Sequence, residues 1–288
     1  MTTPAVSLTG PAAQERTATP RHYLMCPPTH FDVRYAINPW MDPGRPVDRG
    51  RAIAQWDRLR DVYTRLGHRV SLLDPRPDLP DMVFTANGAV VVGGTAFAAR
   101  FRNPERTAEE AAHLAWLRGR GLDVHPSGTV HEGEGDFAVT SSLILAGTGF
   151  RTDQAAHMEA QELFGVPVVG LRLVDPRFYH LDTALTVLDD GRVSGRADIA
   201  YFPGAFSGAA QRVLGLLFPD AVRVAEADAL VFGLNAVGDG RNVVLPRQAT
   251  GFAALLRARG YHPIGVDTSE LARAGGGPKC CTQEIRAA

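Results

Sequence analysis

The chain has 288 residues, of which 45% are hydrophobic and 21% are charged, and its formal net charge is −1. This length and composition allow a well-buried core, arranged as one large domain or two ordinary ones. The near-neutral charge, without a dense run of lysine or arginine, argues against nucleic acid and anionic membrane as main partners. A small-molecule partner is therefore expected.

The sequence also indicates where the protein works. No apolar run approaches the roughly 20 residues of a membrane span, and the start of the chain lacks the apolar segment of a signal peptide, so we expect a cytoplasmic protein. The cysteines are Cys26, Cys280 and Cys281, an odd number with two adjacent, which predicts reactive or buried thiols instead of a disulfide framework. Residues 1–20 show no periodic pattern and are predicted to be a mobile arm, which leaves 21–288 as a single catalytic domain.

Ordered structure is predicted to begin with a short apolar strand at 22–26, which the two following prolines end. A polar loop that contains Asn38 comes next. The stretch 50–66 carries apolar residues at every third or fourth position and is closed by Gly67, so it is predicted to be the first amphipathic helix.

One unit then recurs along the chain: a short polar segment, a β-hairpin, a helix and a further strand. One residue of each polar segment serves as a marker, and the markers are Asn87, Asp136, His180, Asn235 and Cys280. They recur about every 50 residues, a period typical of blades and other structural repeats. The predicted hairpins lie at 89–98, 137–146, 184–193 and around 238–240, and the predicted helices at 105–119, 153–164, 207–218 and 249–259.

Five such units predict an α/β ring, with one helix outside and a small mixed sheet inside each unit. Closure of the ring requires the strand at 22–26 to complete the last unit. Because the markers occupy equivalent positions in their units, we expect all five side chains to point toward one central axis. The sequence therefore predicts a site on that axis.

The stretch 275–284 brings a thiol to the predicted site. Three glycines and a proline set an irregular turn that places Cys280 beside Lys279 at the start of a short final strand. A nearby positive charge and accessible backbone amides favour a thiolate, which is a nucleophile. The alternative is that Cys280 and Cys281 are small core residues, since free cysteines are commonly buried and inert.

The polar segments form six motifs in order along the chain: Met25-Cys26-Pro27-Pro28, Ile37-Asn38-Pro39-Trp40-Met41, Pro80-Asp81-Met82-Val83-Phe84-Thr85-Ala86-Asn87, Glu132-Gly133-Glu134-Gly135-Asp136, Phe178-Tyr179-His180-Leu181-Asp182-Thr183 and Gly276-Gly277-Pro278-Lys279-Cys280-Cys281-Thr282. These motifs resemble those of the guanidine-modifying enzymes of the amidinotransferase superfamily, and the resemblance extends over nearly all of the chain after the arm. It is strongest to the arginine dihydrolases, relatives of arginine deiminase and dimethylargininase. It implies the five-bladed α/β propeller called the pentein, and a Cys-His-Glu set that works without a metal or other cofactor.

Carried over by motif, the resemblance implies that Cys280 is the nucleophile. The family's cysteine follows a small turn and an Arg or Lys, and a Ser or Thr, here Thr282, follows one residue later. Cys281 is then predicted to lie on the opposite face of the strand as a core thiol. His180 matches the general acid and base, and the alternative for it is a hydrogen-bonded core histidine.

Two acidic positions complete the implied chemistry. Glu132 matches the acidic member of the set, but the motif here is Glu-Gly-x-Gly-Asp where deiminases have Glu-Gly-Gly-Asp, which leaves Glu134 as an alternative. Asp182 lies two residues after His180 on a predicted strand, so we expect it to point to the same side and to hold a guanidinium nitrogen.

Four further residues are predicted to bind the substrate. Arg100 and Arg151 match arginines that grip the α-carboxylate in relatives, although each could form a surface ion pair instead. Asn38 lies in an Ile-Asn-Pro-Trp stretch shared with the dihydrolases. Asn87 stands where deiminases and dimethylargininases carry an aspartate, and its amide can bind the neutral ureido group of citrulline, or it can merely cap a turn.

The predicted reaction is cysteine-dependent hydrolysis of a guanidinium group through a covalent thiouronium intermediate. Because Asn87 suits citrulline, we expect an arginine dihydrolase, which converts arginine to ornithine, carbon dioxide and ammonia. The enzymatic alternatives are a dimethylargininase, which forms citrulline and dimethylamine, an arginine deiminase, and an enzyme that transfers the amidino group to an amine. An amino-acid-binding protein without turnover is the alternative outside the enzymes, and the sequence leaves formation of a homo-oligomer open.

Overall fold

The structure is a computed structural model that describes residues 16–286. Its strands are β1 (His22–Met25), β2 (Arg69–Leu72), β3 (Ala89–Val92), β4 (Thr95–Ala98), β5 (Asp123–Pro126), β6 (Phe137–Val139), β7 (Ile144–Thr148), β8 (Val168–Arg172), β9 (Leu185–Asp189), β10 (Asp198–Tyr201), β11 (Val222–Arg223), β12 (Val237–Gly238), β13 (Asn242–Pro246), β14 (His262–Val266) and β15 (Gln283–Glu284). Its helices are α1 (Arg49–Arg65), α2 (Pro104–Thr107), α3 (Glu110–Gly119), α4 (Gln154–Phe164), α5 (Leu181–Ala184), α6 (Gly208–Leu217), α7 (Glu226–Ala229) and α8 (Thr250–Ala258). Within 16–286, no helix is both long and apolar enough to cross a membrane.

The strands form five sheets of three strands each, all built in the same way. In every sheet the central strand pairs antiparallel with one neighbour and parallel with the other. A parallel pair needs a crossover connection, and a helix lies between the two parallel strands of each sheet. The predicted repeat of hairpin, helix and strand is therefore confirmed. The sheets are β15-β1-β2, β3-β4-β5, β6-β7-β8, β9-β10-β11 and β12-β13-β14.

The sheet β15-β1-β2 joins the two ends of the described chain. Tyr23 of β1 pairs with Glu284 of β15, while the other edge of β1 pairs with β2. This pairing is the closure that the sequence predicts. It also fixes the turn that carries Cys280, which lies three residues before β15.

Helix α1 shows how the sequence pattern becomes packing. Asp48 caps the helix by accepting a hydrogen bond from the Arg51 N–H, and the buried face carries Trp56, Leu59 and Tyr63. Apolar residues three or four positions apart line one side of a helix, so this face packs against the sheet that the crossover serves. The observed bounds lie within one residue of the predicted 50–66.

Two predicted elements differ from the structure. The hairpin predicted at 184–193 extends further, because β9 pairs with β10, which begins only at Asp198. Asp190 does begin a turn, because its Oδ1 accepts from the Arg192 N–H, and the connection then continues to residue 197. The predicted helix at 105–119 is divided into α2 and α3.

The predicted mobile arm, 1–20, falls mostly outside the described residues, which begin at 16. The part that is described lies against the β12-β13-β14 sheet. The Thr19 N–H donates to the Asp239 carbonyl over 2.8 Å, and the Arg16 guanidinium lies 3.4 Å from the centre of the Tyr261 ring. The single-domain assignment stays a prediction.

Candidate active site

The five marker residues all lie shortly before the first strand of their sheets, and all are buried. Asn87 and Asp136 lie at 3₁₀ turns ahead of β3 and β6, and His180 precedes α5 and β9. Asn235 precedes β12, and Cys280 precedes β15. Contacts between their side chains, described below, show that the predicted convergence occurs.

The Cys280 thiol lies between an amide and a carboxylate. Asn235 Nδ2 is 3.0 Å from Sγ, and Asp182 Oδ2 is 3.2 Å from the same sulfur. Burial and the neighbouring Asp182 charge raise the pKa of Cys280 well above its ordinary value. Without substrate, the thiol is therefore protonated and donates to Asp182.

Cys281 has a different environment from Cys280. It is fully buried within an apolar cluster that includes Tyr63 and Leu271, as expected for a core thiol. The predicted reason is wrong, however, because both cysteines lie in the turn before β15 and not in a strand. The turn, and not strand alternation, separates the two sulfurs.

His180 and Glu132 form a buried pair. His180 Nε2 lies 2.8 Å from Glu132 Oε2, and Arg151 Nη1 donates to the same oxygen over 2.8 Å. Burial alone opposes ionisation, but Arg151 and His180 hold the pKa of Glu132 well below its usual range. The ionised carboxylate accepts a hydrogen bond from the ring and thereby orients the imidazole.

A second carboxylate lies behind His180. Asp136 Oδ2 is 4.0 Å from His180 Nε2 and accepts from the Thr152 hydroxyl over 2.7 Å, while Oδ1 accepts from the Leu181 N–H. Burial raises the pKa of Asp136. Asp136 thus connects the turn before β6 to the turn that carries His180.

Glu134, the alternative acidic residue, points away from His180. Its carboxylate pairs with Lys279 and Arg286 and accepts from the Glu284 N–H over 3.0 Å. Burial opposes its ionisation, but Arg286 and Lys279 lower the pKa of Glu134. The structure therefore places Glu132 at the imidazole and Glu134 at strand β15.

Two glycines allow the 132–136 turn to pack against the Asn87 turn. Gly133 has φ of 51°, and a Cβ there would lie 2.6 Å from the Ala86 carbonyl oxygen. A Cβ on Gly135 would lie 2.3 Å from Asn87 Nδ2. The spacing of acidic and glycine residues in this motif is thus required by close backbone contact.

Asp182 is near the thiol, but its predicted backbone conformation is wrong. It lies in helical turn α5 and not in a strand, so the helical turn carries its carboxylate toward Cys280. Its Oδ1 is buried and has no hydrogen-bond partner among residues 16–286. Burial raises the pKa of Asp182, and a cation bound at Oδ1 would reverse that effect.

Asn87 presents a donor to the site. Its Oδ1 accepts from Arg106 Nη1 over 2.7 Å, whereas Nδ2 makes only a long contact, 3.4 Å, to the Glu132 carbonyl. Arg106 is held by two hydrogen bonds to Glu109, of 2.9 and 2.8 Å. The amide orientation is therefore set from behind by a buried guanidinium.

Of the two predicted carboxylate-binding arginines, only Arg151 lies in the site. Its guanidinium bridges Glu132 and the Ile37 carbonyl and lies over the Tyr179 ring, 4.8 Å from the centre. Arg100 does not reach the site, which corrects the prediction. Its backbone bridges to His131, and its exposed side chain donates outward to the Gly128 carbonyl.

Asn38 lies in the polar loop that covers the site. Its Nδ2 donates to the Ala274 carbonyl over 3.0 Å, and its Oδ1 accepts from the Trp40 N–H over 2.9 Å. The Nδ2 bond thus fastens the loop to the segment before Cys280, and the Oδ1 bond closes a turn within the loop itself. With the Arg151 contact to Ile37, these bonds hold the loop across the buried site.

The sequence analysis did not assign three residues that the structure places at the site: Asn235, Arg106 and Asp81. Asn235 was a marker of the repeat, and that signal could have identified it. Asp81 lies in a quoted motif, and its buried Oδ1 has no partner among the described residues, while Oδ2 accepts from Tyr35. Arg106 had no such signal, since only the fold brings it to Asn87.

The chemistry available at the site is that of ionisable side chains. Within residues 16–286, no group of three or more His, Cys, Asp or Glu side chains is arranged to hold a metal ion. A thiol, an imidazole with its own carboxylate, and a second carboxylate at the sulfur are suited to covalent attack followed by proton transfer.

Known proteins resemble this chain in both sequence and fold. A dimethylarginine dimethylaminohydrolase of Mycobacterium tuberculosis is 55% identical over 281 residues, which cover 98% of this chain and 90% of the relative. The bifunctional arginine dihydrolase/ornithine cyclodeaminase ArgZ of Synechocystis is 35% identical over 269 residues, 91% of this chain but only 37% of ArgZ. No protein-family model matches the chain.

The fold comparison leads to the same enzymes. The N-terminal domain of the arginine dihydrolase ArgZ has been solved as a cysteine-to-serine variant bound to substrate, and as an asparagine-to-serine variant covalently bound to a reaction intermediate. Each of these structures matches with a TM-score of 0.88 at 33% identity, over 93% of this chain and 98% of that domain. The chain therefore belongs to the family of arginine-modifying hydrolases that contains dimethylarginine dimethylaminohydrolase and arginine dihydrolase, enzymes that cleave guanidino C–N bonds.

Proposed function

We propose that this protein is a dimethylargininase, which hydrolyses dimethylarginine to citrulline and dimethylamine. The observation that carries the proposal is the 55% identity to a dimethylarginine dimethylaminohydrolase over 98% of the chain. The comparisons support this alternative better than the arginine dihydrolase expected from the sequence. The buried thiol, imidazole and carboxylates provide the groups that the reaction needs.

The substrate is a zwitterion with a cationic side chain, and the site offers a partner for each charge. Asp182 Oδ1, buried without a partner among the described residues, accepts from the guanidinium. Arg151 and Arg106 are the cations for the α-carboxylate, and Asp81 Oδ1 is the acceptor for the α-ammonium. Entry requires the loop that contains Asn38 to open, because these groups are buried.

The first half-reaction is attack of Cys280 on the guanidinium carbon. The bound cation offsets the Asp182 charge, which lowers the thiol pKa, and the thiol proton leaves to solvent. The thiolate forms a C–S bond, and protonated His180 donates its proton to the dimethylamino nitrogen as the C–N bond breaks. Dimethylamine departs, and a covalent thiouronium remains.

The second half-reaction releases the product. Neutral His180 accepts a proton from water, the resulting hydroxide attacks the thiouronium carbon, and the C–S bond breaks. The hydroxyl proton is lost to solvent, the product is citrulline, and the thiolate is restored. Glu132 remains ionised throughout and stabilises each imidazolium form, as its contact to Nε2 and its lowered pKa indicate.

The proposal includes a five-bladed propeller as the scaffold of one catalytic unit. Identical sheet topology, the β15-β1 pairing and the meeting of the five polar segments support a closed ring with the site on its axis. Contacts between neighbouring sheets, such as those of β9 with β12 and of β3 with β15, follow the order that such a ring requires.

An arginine dihydrolase is the second candidate, and Asn87 favours it. Its Nδ2 is a donor with only a long partner, which suits the oxygen of a ureido group and not the N–H groups of a guanidinium. The asparagine and the cysteine substituted in the ArgZ structures are also separated by the same number of residues as Asn87 and Cys280. A site that binds citrulline in this way can attack it a second time.

A product assay distinguishes the two candidates. The purified protein is incubated separately with asymmetric dimethylarginine and with arginine, and citrulline, ornithine, dimethylamine and ammonia are measured. We expect one dimethylamine and one citrulline per dimethylarginine consumed. Ornithine with two ammonia per arginine, at a higher kcat/KM than for dimethylarginine, would establish the dihydrolase instead.

The variant Asn87→Asp sharpens that assay. An aspartate at this position can pair with Arg106 and still accept from a guanidinium, but it repels a ureido oxygen. In a dihydrolase the variant accumulates citrulline, whereas in a dimethylargininase it leaves the product unchanged. No product from either substrate at high protein concentration would favour a binding protein.

A further inference from the structure

Asn235 contacts the nucleophile through both ends of its amide. Its Oδ1 accepts from the Cys280 N–H over 3.0 Å, and its Nδ2 lies 3.0 Å from Cys280 Sγ. A backbone N–H can only donate, so the oxygen must face it, and the amide nitrogen must then face the sulfur. The hydrogen bond from the Cys280 N–H thus fixes the orientation of the Asn235 amide.

The second proton of Nδ2 is also engaged. Nδ2 lies 3.2 Å from the Asp182 carbonyl, and Asn235 is 0% exposed. The Lys279 N–H donates to the Asn235 carbonyl over 3.3 Å. Asn235 therefore contacts three groups: the backbone N–H of Lys279, the backbone N–H of Cys280 and the Cys280 sulfur.

The local backbone that presents Asn235 is unusual. Phe232 has φ of 59°, a left-handed conformation that residues other than glycine rarely adopt. The Asn235 N–H donates to the Phe232 carbonyl over 2.9 Å, which closes this turn. On the other side, a Cβ on Gly277 would lie 2.9 Å from Asn235 Oδ1, so a larger residue there would displace the amide. The two chain segments are thus shaped around this contact.

We propose that Asn235 is a catalytic residue that stabilises the Cys280 thiolate by donating a hydrogen bond from Nδ2 to Sγ. The inference rests on the proposed function, because it takes Cys280 as the nucleophile. A donor on sulfur is worth more to the thiolate than to the thiol, since hydrogen bonds to a charged acceptor are stronger. Negative charge is on the sulfur before attack and returns when the C–S bond breaks, so the donor assists both half-reactions and opposes the effect of Asp182.

The test measures the thiol directly in two variants. Asn235→Leu removes the donor without adding charge, and Asn235→Asp keeps an acceptor for the Cys280 N–H but turns an oxygen toward the sulfur. The rate of Cys280 alkylation by iodoacetamide is followed against pH, with the Cys280→Ser protein subtracted as background. The surface variant Gln248→Glu makes the same amide-to-carboxylate change at an exposed position and serves as the matched control.

We expect the midpoint of the alkylation profile to rise by about one pH unit in Asn235→Leu and by more in Asn235→Asp, with no change in the control. At pH 7 the alkylation rate should then fall about tenfold or more. A midpoint unchanged in both variants would overturn the inference, even if kcat fell, because it would reduce Asn235 to a packing role. If one variant does not fold, the alkylation midpoint of the other variant alone tests the inference.

The readout separates this inference from the proposed function. Full activity of Cys280→Ser, or no turnover of any arginine derivative by the unaltered protein, would contradict the proposed function. Shifted alkylation midpoints would still support the contact between Asn235 and the thiolate in that case. Unshifted midpoints in an active enzyme contradict only the inference about Asn235.

Discussion

Glu132 and Glu134 lie two residues apart at one 3₁₀ turn, but their carboxylates contact different parts of the molecule. Glu132 contacts His180 and Arg151, on the side of the thiol. Glu134 contacts Lys279 and Arg286, on the side of the closing strand β15. Both are buried and both have a lowered pKa. Burial and ionisation alone therefore do not identify a catalytic carboxylate; the partner of each carboxylate does.

A network of ion pairs extends from Glu134 to the start of β1 and to the β9-β10 connection. Arg286 also pairs with Glu284, Glu284 lies near Arg21, and Arg21 pairs with Asp190 at 2.6 Å. These groups line a cavity that Asp182 and Lys279 also reach. One side of the turn thus holds the groups that we propose to react, and ion pairs on the other side connect the turn to the strand that carries the closing pairing.

The largest expected effect on kcat separates the two adjacent cysteines. Cys280→Ser should lower kcat by at least about 10⁴-fold, because a hydroxyl cannot replace the thiolate, whereas Cys281→Ser should keep most of the activity. Steady-state kinetics with dimethylarginine and with arginine measure both. A fully active Cys280→Ser protein, together with inactivation by a label mapped to Cys281, would reverse the assignment.

The two glutamates give the next contrast. Glu132→Gln should lower kcat on the order of 10³-fold, because the imidazolium loses its ionised partner, and it should also lower the free energy of unfolding, because buried Arg151 loses its carboxylate partner. Glu134→Gln should lower the free energy of unfolding by about 3 kcal/mol, because it leaves Arg286 and Lys279 with a missing partner in a buried network. Kinetics and urea unfolding of both variants test this pair.

The glutamate comparison would fail in one clear way. If Glu134→Gln lost as much kcat as Glu132→Gln while its unfolding curve stayed unchanged, Glu134 would be the acidic residue of the catalytic set. The two variants are equal in size and charge change, so each serves as the control for the other.

A smaller effect is expected from the outer support of the same turn. His131 accepts from the Gly133 N–H through Nδ1, donates through Nε2 to the Ala98 carbonyl, and stacks on Phe97 at 4.0 Å. Burial lowers the pKa of His131 to about 4, so the imidazole is neutral in the folded protein. Protonation at Nδ1 would break the bond to Gly133.

The pH dependence follows from that lowered pKa. Between about pH 6.5 and 4 the unfolded chain binds a proton that folded His131 does not, so its contribution to stability is present above pH 6.5 and is lost as pH falls. We expect the free energy of unfolding to be about 2 kcal/mol lower at pH 5 than at pH 7.5 from this residue. Urea unfolding of the protein and of His131→Gln measures the difference. If the free energy of unfolding changed equally with pH in the two proteins, His131 would not be the source of the pH dependence.

The repeat made much of this site predictable. Residues at equivalent positions of the units, such as Cys280, His180 and Asn87, do converge, because hairpins and amphipathic helices are local features that a sequence pattern encodes. The predictions that were wrong concern the direction in which a side chain points. Arg100 and Arg106 are six residues apart, but Arg106 lies in the short helix α2 and points inward to Asn87, whereas Arg100 lies before α2 and points outward.

Asp182 and the glutamates show the same limit. Asp182 was predicted to lie on a strand and to point to the same side as His180, but it lies in a helical turn, and its carboxylate contacts the thiol. The choice between Glu132 and Glu134 required the positions of Lys279 and Arg286, which lie about 150 residues further along the chain. Long-range pairings of this kind leave no periodic signal in a single sequence.

The pairing of β15 with β1 has a consequence for synthesis on the ribosome. The strand His22–Met25 is made early, and its partner Gln283–Glu284 emerges only after the other four sheets have been translated. A nascent chain thus acquires the imidazole and its carboxylate long before the thiol. The proposed nucleophile meets them only when the late segment docks on the early one, so an incompletely translated chain lacks the complete site.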